Sequence, residues 1–394
     1  GFRLVAGDRA GNALDPPVRF LFRDETVALP REPDPSRPPL VWIAAPERRT
    51  GARLSPDGRS IESGGLREAA TLVPKIALNR SWADESTFRW LAGRPLTVRG
   101  TAKPSGAFEI RTLWPDDWRP DLEASVEPLA APDGVEAAVR GFVRADQGGA
   151  RAALSTRVPW AREPDRRDWA GRPVIGLLLN GSQGDDDEAW GGHFAIVTGR
   201  LGADGRIADL LVANFYSLDV ESEKGILAAP VPLDNYLADL NAGQAWYRPS
   251  VLALAVLADE RAAVHVDGGL FRVYPDFWSR RLPYRHTTMN CAAISIDALR
   301  SLGWPVPARA SPDRAWAWLA LPAKLAAEGS LAVARNAYEY LAEEPARLYP
   351  AVAFEAGVAD LLRLATDGER DGDGPLPRWL AADLLAVIAV RIPQ

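Results

Sequence analysis

The chain has 394 residues, of which 47% are hydrophobic and 25% are charged, and its formal net charge is −6 at pH 7. This composition is typical of globular proteins, the length predicts two or three domains, and the negative charge argues against nucleic acid as a partner. A single cysteine excludes an intramolecular disulfide, and three scattered histidines give little support for a zinc site. We therefore expect neither a metal nor a cofactor.

Residues 1–165 are predicted to form a β-rich accessory region. Two candidate hairpins carry this prediction: residues 96–101 pair with 107–113, and residues 135–143 pair with 150–158. The spacing of these strands suits a small sandwich. Nothing in this region demands chemistry, so we expect a scaffold, with binding of substrate or cell envelope as the alternative.

An acidic segment precedes the first residue of chemical interest. Residues 173–179 predict a buried strand, and Asp185 to Glu188 follow it as four consecutive carboxylates. A solvated loop is the expected role of these carboxylates. The alternative is recognition of a cationic group or a metal ion, although the spacing does not match a calcium-binding loop.

His193 begins a segment that is typical of a strand, and residues 201–206 after it are typical of a turn. Residues 207–215 then predict the returning strand. Two registers of this hairpin are open, and one of them places Tyr216 directly opposite His193. Asn214 lies on the His193 face in both, because the registers differ by two residues. Asn214 is therefore expected to orient the imidazole ring.

The segment between the hairpin and the cysteine predicts a helix over 232–242 and a strand or short buried helix over 251–257. Tyr247 and Arg248 lie between them. They are candidates for contact with a substrate carbonyl or carboxylate. The alternative is a packed aromatic ring beside a surface arginine.

Cys291 is predicted to open a helix. Asn290 occupies the N-cap position, apolar or small residues recur at helical spacing, and Gly303 ends the pattern. A thiol in the first helical turn faces unpaired backbone N–H groups and the positive end of the helix dipole, and both favour the reactive thiolate. The competing interpretation is a small buried hydrophobic residue.

Three further residues are candidates beside Cys291 and His193. The backbone N–H of Cys291 is expected to donate to an oxyanion, and Tyr284 is a weaker candidate for the second donor. His286 is a rival base that ranks below His193, because a loop residue so near Cys291 would need the chain to fold back. Tyr216 and His286 are also expected to line the substrate site.

The segment GHFAIVTG at 192–199, followed by Asn290 and Cys291 at a helix start, resembles the circularly permuted branch of the NlpC/P60 papain-like superfamily. That branch includes lecithin:retinol acyltransferase-like proteins and bacterial envelope families. The resemblance implies an α+β fold with a permuted papain-like catalytic domain over 172–305. It also implies a Cys291, His193 and polar-residue triad, in which Asn214 takes the place that some members give to a histidine.

The region 306–394 is predicted to be helical, ending in an apolar helix over 379–392. Most of its apolar surface is expected to be core. The alternative is a hydrophobic wall for an acyl chain, or a surface for peripheral membrane contact.

These observations predict a cysteine-dependent hydrolase or acyltransferase that acts on an amide or ester bond of a peptide, peptidoglycan or lipid-acyl substrate. The chain begins at Gly1 without methionine, which we interpret as removal of a signal peptide and location in the periplasm or cell envelope. The alternative is an inactive structural or binding module of the same fold, with Cys291 in the core.

Overall fold

The computed structural model describes residues 2–7, 13–20, 26–29, 42–43, 47–72, 85–145, 152–181, 192–216, 230–238, 249–278, 281–311, 314–370 and 373–393. Helices and strands are both abundant, which confirms the predicted α+β class. The strands form a small N-terminal sheet, a closed barrel and a seven-stranded sheet.

The first half of the chain is rich in strands, as predicted. The N-terminal sheet has the order β2-β1-β3-β4 and comprises β1 (Phe2–Gly7), β2 (Ala13–Phe20), β3 (Thr26–Leu29) and β4 (Trp42–Ile43). The barrel closes in the order β5-β6-β7-β9-β8 and comprises β5 (Glu47–Leu54), β6 (Ser60–Ser63), β7 (Leu66–Leu72), β8 (Leu96–Ala102) and β9 (Phe108–Pro115). The predicted hairpin over 96–113 is present as β8 and β9.

The seven-stranded sheet carries the candidate site, and all its neighbouring strands are antiparallel. Its order is β10-β16-β15-β11-β12-β13-β14. It comprises β10 (Ser155–Ala161), β11 (Pro173–Asn180), β12 (His193–Arg200), β13 (Leu211–Ala213), β14 (Pro230–Pro232), β15 (Ser250–Leu257) and β16 (Leu384–Ile392).

Helices cover one face of this sheet, and the barrel and its flanking segments cover the other. The helices are α1 (Glu85–Ala92), α2 (Val135–Arg144), α3 (Leu233–Ala238), α4 (Arg261–Trp278), α5 (Cys291–Ser301), α6 (Arg314–Glu328), α7 (Leu331–Ala342), α8 (Pro345–Leu348), α9 (Pro350–Asp367) and α10 (Pro375–Asp383). Because neither face of the sheet meets water, β11 and β15 are buried along their whole length and are almost wholly apolar.

The final helix predicted over 379–392 is wrong. Residues 375–383 form α10, but residues 384–392 form β16, which lies between β10 and β15 in the sheet. A strand that is buried on both faces shows no alternation of apolar and polar residues, so its hydrophobic pattern resembles that of a buried helix. The β-branched residues Val387, Ile388, Val390 and Ile392 were the available signal for a strand.

The second predicted hairpin is also wrong in its first strand. Residues 135–144 form α2, which buries Ala138, Val139 and Val143 on one side. Val135, Val139 and Val143 recur every four residues, and this helical period outweighs the strand preference of valine. The predicted sandwich is replaced by the closed barrel, and β10 belongs to the seven-stranded sheet. Two of the seven strands therefore lie outside residues 172–305.

A buried ion pair joins the barrel to the edge of the sheet that carries the site. Arg99 in β8 donates from Nε to Oδ2 of Asp234 in α3 at 2.7 Å, and the Asp234 side chain is fully buried. Burial raises the pKa of Asp234, and the Arg99 guanidinium opposes that rise. The adjacent Asn235 contacts Thr112 of β9 at 3.0 Å. α3 is therefore held against the barrel by two consecutive side chains.

Replacing Ile388 by alanine should lower the free energy of unfolding by about 2–5 kcal/mol, because its side chain is fully buried in the middle of β16. Denaturant unfolding followed by circular dichroism measures the change. Leu66→Ala is the control, since Leu66 is exposed and its loss should cost less than about 0.5 kcal/mol. Equal effects of the two substitutions would contradict a buried β16.

Candidate active site

His193 and Asn214 come together through the register of β12 and β13. The two strands pair Ile196 with Ala213 and Val197 with Val212. Continuing this register beyond β13 places Tyr216 opposite His193 and leaves Asn214 on the same face. Nε2 of His193 lies 2.8 Å from Oδ1 of Asn214, and both side chains are buried. The shared face was predicted, whereas the returning strand is shorter than predicted, because β13 spans only residues 211–213.

Asn290 sets the start of α5 and so the position of Cys291. Its Oδ1 accepts a hydrogen bond from the backbone N–H of Ala293 at 3.1 Å, as an N-cap residue does. Its Nδ2 donates to the carbonyl oxygens of His286 at 3.1 Å and Leu348 at 2.8 Å. The cap therefore holds the preceding loop, the first turn of α5 and the end of α8 together.

The Cys291 thiol lies within hydrogen-bond reach of the His193 imidazole and is only 4% exposed. Burial raises the pKa of this thiol. The positive charge of His193, its hydrogen bond and the backbone N–H groups of Phe194 and Ala292 lower the pKa and together outweigh burial. The net result is a thiol pKa below its ordinary value, which favours the thiolate.

The contact with Asn214 determines which nitrogen of His193 serves the thiol. An amide oxygen can only accept a hydrogen bond, so Nε2 of His193 carries a proton that it donates to Oδ1 of Asn214. Nδ1 is then the nitrogen that is left to exchange a proton with Cys291. Asn214 thus holds both the tautomer and the orientation of the ring.

Tyr284 contacts Cys291 in two ways. Its hydroxyl lies close to the backbone N–H of Cys291, which lowers the pKa of that hydroxyl, and it also lies beside the thiol. Burial raises the pKa of Tyr284 well above its ordinary value, and the charge of Cys291 adds to the rise, so the hydroxyl stays protonated and can donate. The Tyr284 hydroxyl therefore lies where the sequence predicted that a substrate oxyanion would bind, close to the backbone N–H of Cys291.

Aromatic rings surround the imidazole of His193. The ring centre of Tyr216 lies 6.1 Å from that of His193, and the centre of Tyr236 lies 6.3 Å away. Tyr216 in turn lies 5.7 Å from Tyr284. His286, the rival base, is exposed and packs edge-on against Tyr284 at 5.2 Å. Of the two histidines, it is His193 whose side chain lowers the pKa of the thiol.

Sequence reasoning missed a row of polar residues across the sheet. Asn180 pairs directly with His193 on one side and with Ser250 on the other, and its Nδ2 donates to Oγ of Ser250 at 2.8 Å. Both residues are fully buried. The signal was present, because Asn180 ends and Ser250 begins strands that are otherwise almost wholly apolar. Tyr236 was also missed, since a buried tyrosine in a short helix carries no distinctive pattern.

Several predicted contacts lie outside the described residues. These are Tyr247, Arg248 and the acidic segment from Asp185 to Glu188. Within the described ranges, no three His, Cys, Asp or Glu side chains converge as a potential metal site.

The chain matches no protein-family model, no curated protein and no solved structure. Its site is therefore interpreted from its own geometry. That geometry offers a nucleophile with a lowered pKa, a base that can take its proton, a residue that orients the base, and hydrogen-bond donors at the start of a helix.

His193→Ala should move the pH profile of Cys291 alkylation to higher pH. Only the thiolate reacts, so the rate rises through the thiol pKa, which lies below its ordinary value in the folded protein. Removing the His193 side chain leaves burial, which raises that pKa, opposed by the backbone N–H groups of Phe194 and Ala292 alone. Iodoacetamide labelling across pH 5–10, followed by mass spectrometry, measures the inflection.

His286→Ala is the matched control for this measurement, since His286 is exposed and lies against Tyr284 instead. We expect its inflection to stay close to that of the unchanged protein. A larger shift for His286→Ala than for His193→Ala would show that His286, and not His193, is the base.

Proposed function

We propose that this protein is a cysteine-dependent hydrolase or acyltransferase that acts on an amide or ester bond. One observation carries the proposal: Cys291, at the first turn of α5, lies within hydrogen-bond reach of His193, which Asn214 orients from the neighbouring strand. Cys291 lies 98 residues after His193 and 77 after Asn214, and each of the three side chains has the chemical type that nucleophilic catalysis by a thiol requires.

In the first step, the Cys291 thiolate attacks the carbonyl carbon of the substrate and a carbon–sulfur bond forms. The negative charge that develops on the carbonyl oxygen needs hydrogen-bond donors, and the backbone N–H of Cys291 is one of them. The Tyr284 hydroxyl lies close to this N–H. Because that hydroxyl is protonated, it is a candidate for the second donor to the substrate oxygen.

In the second step, the bond from the carbonyl carbon to the leaving nitrogen or oxygen breaks, and His193 gives its proton to the leaving group. The acyl group then remains on Cys291 as a thioester. Water activated by His193 releases a carboxylic acid, whereas an amine or hydroxyl acceptor yields a new amide or ester. Both outcomes use the same residues.

The proposal extends to family and location. The order in the chain, with the His193 strand before the Cys291 helix, is that of the circularly permuted NlpC/P60 papain-like branch, and the antiparallel sheet packed against α5 is compatible with it. We accordingly propose a bacterial cell-envelope enzyme with a peptide, peptidoglycan or lipid-acyl substrate.

Burial of Cys291 favours one alternative, an inactive module of the same fold in which the thiol is a core residue. The two proposals differ in what surrounds the sulfur. A core thiol needs only apolar neighbours, whereas this one has an imidazole and two backbone N–H groups against it. Slow alkylation that keeps the profile of an ordinary thiol would favour the inactive module.

Cys291→Ala should abolish turnover and leave the fold intact, because the thiol forms the covalent bond and its side chain is small. Hydrolysis of p-nitrophenyl acetate and of longer acyl esters, with mass spectrometry of the trapped thioester, provides the readout.

Asn214→Ala should lower kcat by about 10–10⁴-fold in the same assay, since the base loses its orientation.

Matched thermal unfolding shows whether each variant is folded. Turnover that persists in folded Cys291→Ala, or a thioester on any other residue, would end the claim that Cys291 is the nucleophile.

A further inference from the structure

α6 and α7 form a helical hairpin, and the outer helix, α6, is exposed over most of its circumference. α6 packs chiefly against α7, through the buried residues Ala317 and Ala334. Trp316, Trp318 and Leu319 are 64%, 68% and 61% exposed. Side chains of this size are normally covered in a soluble protein, so the exposed side of α6 is unusual.

One broad side of α6 is exposed and carries no charge. At about 100° per residue, nine exposed residues occupy an arc of about 200° around the helix. These nine residues are Ala315, Trp316, Trp318, Leu319, Pro322, Ala323, Leu325, Ala326 and Ala327. The helix has three charged residues, Arg314, Lys324 and Glu328, and all of them fall in the remaining part, on the side of Ala317. We call the nine residues the apolar arc.

This arrangement reverses the usual pattern of a surface helix, which turns its polar face outward. A helix that docks in the groove of a partner protein presents a stripe of residues spaced three or four apart. The apolar arc covers more than half of the circumference. A continuous apolar medium can contact all of this surface, whereas a single groove contacts only a narrower stripe. Tryptophan is the side chain most characteristic of the boundary between lipid and water.

Charge complementarity points to the same occupant. The apolar arc is uncharged, as is hydrocarbon, and the cationic side chain of Arg314 lies at its edge, one turn before Trp318, where lipid headgroups would be. Lys324 lies on the side of Ala317 instead, where it pairs with Glu328 at 3.7 Å. α6 has 15 residues and is about 22 Å long, less than the roughly 30 Å of a bilayer core. No α-helix in the described part of the chain is long and apolar enough to cross a membrane. A helix of this kind lies along the surface.

α7 connects this hairpin to the loop before Cys291. Glu339 of α7 accepts a hydrogen bond from Oγ1 of Thr287 at 2.9 Å and pairs with Arg335 on its own helix. Thr287 lies four residues before Cys291. Glu339 thus ties α7 to the loop before Cys291, and α6 packs against α7.

We propose that the apolar arc of α6 docks on the surface of a lipid bilayer. The bilayer receives the two tryptophans and Leu319 at the level of the headgroups, and Arg314 contacts the phosphates. The proposal stands on the exposure and charge pattern of α6 and does not depend on the chemistry of Cys291.

Flotation of the full chain with vesicles tests this proposal. The vesicles contain phosphatidylcholine and phosphatidylglycerol in equal parts. The unchanged protein should float with them. The triple variant Trp316→Ser, Trp318→Ser and Leu319→Ser should partition at least about a hundredfold less, because three large apolar side chains no longer enter lipid.

Leu66→Ser is the matched control, because Leu66 is 75% exposed on the barrel and should not affect flotation. Thermal unfolding of every variant should match that of the unchanged protein, since the altered side chains are exposed. Failure of the unchanged protein to float would overturn the proposal, as would equal flotation of the triple variant. A dimer in sedimentation that the triple variant abolishes, without flotation, would assign the apolar arc to a second copy of the chain.

Discussion

The antiparallel register of β11, β12 and β13 is the constraint on which the candidate site depends. It places Ser250, Asn180, His193 and Tyr216 in one row across the sheet, with Asn214 two residues along on the same face. A slip of one residue would turn His193 to the opposite face and separate it from Asn214. Packing on both faces opposes such a slip, because side chains that fit against the helices would then have to pack against the barrel, and the reverse.

The second requirement is electrostatic, since a buried thiolate is costly. Moving an ion out of water costs on the order of several kcal/mol even after relaxation, and this cost would return the proton to the sulfur if nothing opposed it. His193, Phe194 and Ala292 oppose it with one positive charge and two backbone N–H groups. Each of these groups depends on structure fixed elsewhere: the strand position of His193, and the cap that Asn290 provides at the start of α5. The reactivity expected of Cys291 is thus a property of two packed elements.

The parts of this structure that could be predicted from sequence are those whose signals are local. The Asn290 cap, the start of α5 and the strands at 173–180 and 250–257 follow from capping residues and apolar runs. The contact of His193 with Asn214 followed from the two-residue period of a hairpin. β16 could not be separated from a helix, because burial on both faces erases the alternation on which that distinction depends. Tyr236 and the Arg99–Asp234 pair were beyond prediction, since each joins segments that only the tertiary fold brings together.

The place of β16 in the sheet has a consequence for how the protein is made. β16 follows the other strands in chain order, yet it lies inside the sheet, between β15 and the edge strand β10. While the chain is being synthesised, Cys291, His193 and Asn214 leave the ribosome before the strand that completes their sheet. β15 then has an open edge, and such edges pair readily with other chains. The nascent protein therefore passes through an interval in which a chaperone or rapid completion of synthesis must protect that edge from aggregation.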